Sequence, residues 1–316
     1  MDKWALIGEM KDLLSRTGFY VSRIHRIRSI SFDLVARRDS TLLIIKVLQN
    51  IDGLTYRDAE EMKLLADVLD GSVIVIAEKS SSGGLEDGVI YSRFGIPAMT
   101  FGTIKEYLEN GDAPLVFTAP GGFYVHIDGQ TLKRVREETG ISRGELAEVA
   151  GVSRKAIQMY EEGMSTEVEA AISLEEYLGI PLVRPIDPFS YEVERSTPET
   201  EEPQPENPYY EIFISLDSKG YHVFQTLKSP FDALSERKKE VLLTNVGVYS
   251  RSMVKKAEIA REVSEIVEQD AVIFVRKEIK KESISGVPVI TFNELMRSSL
   301  EELMELILER KKYENP

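Results

Sequence analysis

Apolar residues near the N-terminus recur at helical spacing. Leu6, Met10, Leu13 and Leu14 share one helical face, and Gly18 stands where that helix should stop. Strand-like runs follow at residues 31–36, 42–48, 73–77, 89–94 and 98–101, with a helical stretch at 57–69 between the second and third. The runs LLIIKVL and VIVIA barely alternate, which fits strands buried on both faces beneath helices. The pattern predicts an α/β sandwich. A hairpin then follows over residues 115–127, where two apolar runs flank Pro120-Gly121-Gly122.

The last third of the chain repeats the first. Phe32-Asp33 aligns with Phe231-Asp232 at a shift of 199, and the same shift lays TLLIIKVLQ on EVLLTNVGV and SVIVIAE on AVIFVRK. A second match, at a shift of 191, sets Gly95-Ile96-Pro97 on Gly286-Val287-Pro288 and Thr100-Phe101 on Thr291-Phe292. Buried strands resemble one another, so a single match carries little. Three runs in one register, with Phe-Asp and a Gly-x-Pro turn, predict a duplicated α/β domain. Near the end, Leu300, Leu303, Met304 and Ile307 form a helical stripe suited to a core or a dimer face.

Between the copies, prolines gather at positions 181, 185, 188, 198, 203, 205 and 208, and residues 192–207 hold almost no apolar side chains. Such a segment cannot repay the entropy of ordering and reads as an extended linker. The expected organisation is a first α/β copy at 1–112, a connecting hairpin at 113–128, a helical insert at 129–182, a Pro/Glu-rich linker at 183–208 and a second copy at 209–316.

The whole chain has 316 residues, with 39 basic against 53 acidic side chains, a net charge of −14. That balance excludes a protein that coats nucleic acid through bulk charge. Zero Cys rules out disulfides, a thiol nucleophile and a Cys zinc site, and three scattered His argue against a His-rich metal site. No apolar run approaches the roughly 18–20 residues a membrane helix needs, and the Asp-Lys-Trp start lacks a secretory pattern. A cytoplasmic setting is expected. Gly83-Gly84 follows three Ser with no phosphate-loop Lys-Ser/Thr behind it.

The insert carries the most specific pattern. Short helices are predicted at 131–138, 143–150, 154–161 and 167–178, with Ser142 and Ser153 as N-caps and Gly151 in a tight turn needing positive φ. Leu132, Val135, Leu146, Ala147, Val149, Val152, Ile157, Tyr160, Leu174 and Leu178 supply the apolar set. Ala147 suits two helices that cross closely. This spacing resembles the phage repressor and Cro-like helix-turn-helix family, with the motif on residues 143–162. The resemblance implies that Arg154 and Lys155 face base edges in the major groove, with Met159 one turn later and Gln158 beside them. It also implies phosphate contacts at Ser142, Arg143 and Ser153. Lys133, Arg134 and Arg136 add charge on the first helix. Glu161, Glu162, Glu167, Glu169, Glu175 and Glu176 are expected on the side facing away from DNA. The plain alternative is a packing module that never touches DNA.

The first α/β copy resembles the PD-(D/E)XK nuclease fold of archaeal Holliday-junction resolvases. Glu9 on helix one, Asp33 and Lys46 take that family's places, whereas the acid expected two residues before the Lys is Ile44. Hydrolysis there needs carboxylates converging on a divalent metal. In the second copy Asp232 remains, but Leu243 and Asn245 replace the acid and the Lys. Glu60 or Glu61 either substitutes for the lost acid or is an ordinary solvated charge. Arg23, Arg26, Arg28, Arg37 and Arg38 crowd into 16 residues, as an edge-protecting surface or a retained phosphate track.

The reading is a multidomain α/β plus all-α chain: a duplicated nuclease-like sandwich around a central four- or five-helix bundle. It implies a non-enzymatic regulator of transcription, without cofactor or metal, binding double-stranded DNA as a homodimer. A protein of the transcription machinery is a further expected partner. The competing readings are a metal-dependent nuclease and a protein-interaction scaffold.

Overall fold

The computed structural model describes residues 2–23, 30–190, 207–277 and 279–311. The chain begins with α1 (Lys3–Arg16), β1 (Tyr20–Val21), β2 (Leu34–Arg38), β3 (Thr41–Asn50), α2 (Tyr56–Leu69) and β4 (Ser72–Ser80). Next come β5 (Gly83–Gly84), β6 (Val89–Arg93), β7 (Ile96–Met99), α3 (Phe101–Asn110), β8 (Val116–Ala119) and β9 (Gly122–Ile127). The middle holds α4 (Gly129–Thr139), α5 (Arg143–Val149), α6 (Arg154–Glu161), β10 (Thr166–Glu167), α7 (Val168–Leu178) and β11 (Val183–Arg184). After it run α8 (Tyr210–Ser218), β12 (His222–Gln225), β13 (Ala233–Arg237), β14 (Glu240–Gly247), α9 (Arg251–Val267) and β15 (Asp270–Val275). The last elements are β16 (Ser283–Ile284), β17 (Val287–Thr291), α10 (Phe292–Arg297) and α11 (Leu300–Lys311).

Two compact units result. One comprises Met1–Leu6, Leu48–Leu54 and Ile74–Val193, and the other Ile7–Val47, Thr55–Val73 and Glu194–Pro316. The chain passes between them more than once.

In the first unit, β4 and β7 are parallel, β7 and β6 antiparallel, and β6 and β8 parallel. Ile74 to Ala77 are fully buried, as a strand covered on both faces requires. The apolar run at 98–101 does not stay a strand to its end. Thr100 Oγ1 accepts from Thr103 N (3.0 Å) and so starts α3, which Gly111 closes with φ +79°. The predicted hairpin is present, with β8 and β9 antiparallel and Ala119 opposite Gly122.

Helices α4 to α7 do not form a bundle of helices alone. Their core holds Leu132, Leu146, Ala147, Ile157, Tyr160, Ala171 and Leu174, but also Val125 and Ile127 from β9 and Leu182 beyond α7. β10 and β11 both pair with β9. A fully buried Leu or Ile stabilises by about 1.5–3 kcal/mol, so the hairpin is part of what holds this subdomain together. Residues 183–190, assigned to the linker by composition, are packed as well. Ile186 N donates to Pro114 O (2.8 Å), and Phe189 lies edge-on to Tyr107 at 5.3 Å between ring centres. Residues 191–206, the remainder of that linker apart from 207–208, lie outside the described residues.

In the second unit a six-stranded sheet has the order β12-β13-β14-β15-β17-β16, with β14, β15 and β17 parallel. Parallel neighbours need a crossover, and α9 supplies it between β14 and β15. Phe213, Tyr221, Phe274, Ile290, Leu303 and Ile307 belong to its core, against which Leu300 and Met304 pack. The stripe on α11 is therefore a core face.

The same unit contains β1, β2 and residues of β3 up to Val47, all antiparallel neighbours. Leu34 pairs with Ile45, and Ala233, 199 residues later, pairs with Thr244, 199 residues after Ile45. Asp33 N donates to Ile45 O, and Asp232 N to Thr244 O, both at 2.8 Å.

Candidate nucleic-acid interface

The helix-turn-helix geometry is built from local caps. Ser142 Oγ accepts from Glu145 N (3.1 Å) at the start of α5, and Ser153 Oγ accepts from Ala156 N (3.0 Å) at the start of α6. Between them Gly151 has φ +67°, where a side chain would add strain, and Val152 N donates to Ala147 O (2.9 Å). Ala147 is 5% exposed in the α5–α6 contact region and Ile157 is fully buried. Gly129 is required for a reason the sequence pattern did not reveal. A Cβ there would overlap the Tyr160 and Glu161 carbonyls, so the start of α4 rests directly on the end of α6.

The outward row of α6 is Arg154, Lys155, Gln158 and Met159, all exposed, with Ser142 and Ser153 exposed at the two helix starts. Arg154 and Lys155 are not ion-paired among the described residues. Gln158 Nε2 donates to Glu162 Oε1 (2.8 Å). On α4 the charges are balanced differently: Arg134 pairs with Glu138 at 3.1 Å, and Arg136 turns inward.

Glu161 is the centre of a clamp. Its side chain is 1% exposed, and Arg136 Nε donates to its Oε1 at 2.5 Å. Arg143 donates to Oε2 through Nε (3.0 Å) and Nη2 (2.7 Å). Burial pushes the Glu161 carboxyl up, but the two guanidinium groups outweigh it and hold the group below the usual carboxylate range. The same contacts raise Arg136 further. Glu161, expected on the side facing away from DNA, is a buried counter-ion inside the subdomain. Arg143 spends its guanidinium on that counter-ion, tying α5 to α6 as Arg136 ties α4 to α6.

The nuclease-like residues are arranged as follows. Glu9 is exposed on α1. Asp33 Oδ2 accepts from Val47 N (2.9 Å) and lies 3.9 Å from Lys46 Nζ. Lys46, 8% exposed, donates to Ile30 O at 2.6 Å. In the other half Val246 N donates to Asp232 Oδ2 (2.9 Å), and Asn245 takes the lysine's place, donating to Pro230 O (3.0 Å). Ile44 is buried at the position of the missing acid.

Asp58 and Glu61 on α2, each 7% exposed, face inward, whereas Glu60 pairs with Lys63. Asp58 accepts from Lys228 Nζ (2.7 Å), and Glu61 accepts from Leu227 N, Lys228 N and Ser229 Oγ (2.9, 2.8 and 2.6 Å). Burial pushes Asp58 up, while Lys228, Thr55 and Lys46 hold it below its ordinary value.

A divalent metal does not fit these groups. Ile44 offers no ligand, Asp58 faces an ammonium, and the Glu61 oxygens are already taken by three donors. Among the described residues no three His, Cys, Asp or Glu side chains are placed to hold a metal. Two arginines of the arginine-rich stretch are also engaged. Arg37 donates to Val267 O (3.2 Å) and pairs with Glu268 (3.0 Å); Arg38 donates to Thr17 O and lies over Phe19. Arg26 and Arg28 lie outside the described residues.

Two classes of domain are thus present. Residues 3–114 match the PD-(D/E)XK superfamily domain, and residues 132–184 match the helix-turn-helix domain. The whole chain is similar to HTH-type transcriptional regulatory proteins of Methanosarcina acetivorans (39% identical, 98% of both chains), Pyrococcus furiosus (38%, 98% of both) and Archaeoglobus fulgidus (35%, 97% of this chain and 98% of that one). It belongs to this archaeal family. No solved structure matches the chain. No helix among the described residues is long and apolar enough to cross a membrane.

Proposed function

We propose that this protein is a sequence-specific, double-stranded-DNA-binding regulator of transcription that acts in the cytoplasm without catalysis. One observation carries the reading: the N-terminal end of α6 presents Arg154 and Lys155 to solvent, with Gln158 and Met159 behind them, on a helix held from inside by the Glu161 clamp. Arg154 reads guanine through its two major-groove acceptors, and Ser142 and Ser153 lie beside helix-start amides that suit phosphate. Arg143 acts mainly by positioning α5. A homodimer follows from the few base contacts one such helix makes.

The net charge of −14 favours modest affinity and a protein partner from the transcription machinery that adds cationic contacts. The repeated register at a shift of 199, together with the matching Asp33 and Asp232 hydrogen bonds, supports a duplicated α/β fold in which both nuclease sites are degenerate. The test is selection of bound fragments from genomic DNA, with affinity measured across salt concentrations. A regulator enriches a few sequences and keeps a shallow salt slope; enrichment of none removes the reading.

A further inference from the structure

Helix α2 of the first half, whose Asp58 lies near enough to Lys46 to be held down by its charge, meets a turn from the second half. The turn Thr226–Pro230 lies between β12 and β13 and presents a lysine, two backbone amides and a hydroxyl. Lys228 Nζ reaches Asp58 at 2.7 Å, while the Leu227 and Lys228 amides and Ser229 Oγ converge on the one carboxylate of Glu61. Lys228 O in turn accepts from Ser31 N (2.8 Å), next to the Lys46–Ile30 contact. Within the turn, Thr226 Oγ1 donates to Phe231 O (2.6 Å) and holds its shape.

The second half neutralises its own remaining acid differently. Glu61 lies six residues past the N-cap of α2, Thr55; six past the N-cap of α9, Ser250, is Lys256. Lys256 Nζ lies 2.6 Å from Asp232 Oδ1, the counterpart of Asp33. Each half therefore sets an ammonium against an aspartate of a metal-free site. In the second half it comes from its own crossover helix; in the first, Lys46 of the same half lies 3.9 Å from Asp33, and the other half adds Lys228 against Asp58 on α2.

We propose that the Thr226–Pro230 turn is an intramolecular plug, with the Lys228 ammonium and three hydrogen-bond donors taking over the counter-charge role of a divalent metal in the first half. The nuclease-like site becomes a socket that joins the two halves. The occupant is this chain's own turn, not nucleic acid. An isolated buried carboxylate is costly, and four donors on two carboxylates remove that cost without a metal.

The test uses the full-length protein and does not depend on DNA binding. Hydrogen exchange is followed in peptides spanning 226–230 and 57–65 for wild type, Glu61→Gln, Lys228→Asp, Asp58→Lys and the exchanged pair Asp58→Lys/Lys228→Asp. Glu61→Gln and Lys228→Asp are expected to speed exchange in both peptides by about tenfold or more, the loss of one charge-assisted bond. The exchanged pair should return towards wild type, which a general folding defect would not do. Wild type should leave the electron paramagnetic resonance signal of added Mn²⁺ unchanged. Unchanged exchange in Glu61→Gln and Lys228→Asp, no recovery in the exchanged pair, or stoichiometric Mn²⁺ binding lost on Glu61→Gln would each overturn the proposal.

Discussion

Replacing Glu161 with Ala removes the shared counter-ion of Arg136 and Arg143. Arg136 is only 12% exposed, so its guanidinium would be left in a poorly solvated place; Arg143, at 40%, recovers hydration. Breaking a buried pair from one side costs about 3–5 kcal/mol. Arg143 is screened and Arg136 keeps Glu137 at 3.2 Å, so the lower end applies, about 3 kcal/mol. Because Glu161 lies at the end of α6 and its partners lie on α4 and α5, the loss should appear as local opening of all three helices. Native-state hydrogen exchange on peptides from 129–162 of the full-length protein should accelerate by roughly 100-fold. Glu161→Gln should cost less, since it keeps the shape and loses the charge. The pH dependence has a definite sign: the depressed carboxyl contributes fully above its ordinary value of 4.5 and loses that contribution as pH falls through its lower folded value. Exchange in Glu161→Ala indistinguishable from wild type would show that the clamp does not hold the helices.

Further outcomes follow from the same geometry. Ser153→Ala removes the α6 cap and should lower the stability of the helix-turn-helix subdomain by about 1 kcal/mol in denaturant unfolding, with Ser142→Ala similar. Glu294, held down to about 2 by Arg310, stabilises the second unit above pH 4.5; acid unfolding of that unit should set in as pH falls from there towards 2, and Arg310→Ala should move the onset upward. Millimolar Mg²⁺ should leave the unfolding temperature unchanged, because a ligand that does not bind the native state cannot stabilise it; a rise that vanishes in Asp33→Ala would favour the nuclease reading.

The helix-turn-helix was legible because its signals are local. Ser142, Gly151 and Ser153 fix helix starts and the turn within one or two residues, whatever lies elsewhere. The strand at β7 was legible but its end was not. Residues 98–101 read as one apolar run, while Thr100 and Gly111 in fact cap a helix, and a cap outranks apolar content. Two-residue strands such as β10 and β11 are too short to leave a pattern and exist because β9 offers them an edge. Glu61 was left between a replacement acid and a solvated helix charge, since its partner amide belongs to Lys228, 167 positions away. The Glu161 clamp was not legible for the same reason, with Arg136 25 residues upstream. Arg37 was left between an edge-protecting surface and a phosphate track, and its partners Val267 and Glu268 both lie in the last third of the chain. Residues whose partners are distant in sequence were the ones whose contacts the sequence did not reveal.

On the proposed function, α6 contacts DNA through Arg154 and Lys155. Fluorescence anisotropy on a fragment selected from genomic DNA, with wild type, Arg154→Ala and Lys155→Ala measured at several salt concentrations, tests it most directly. Arg154→Ala should lose about 1–3 kcal/mol and relax preference at one base pair, and Lys155→Ala should weaken binding and flatten the salt slope by about one unit if it meets phosphate. Affinity, preference and slope all matching wild type in both variants would contradict the account.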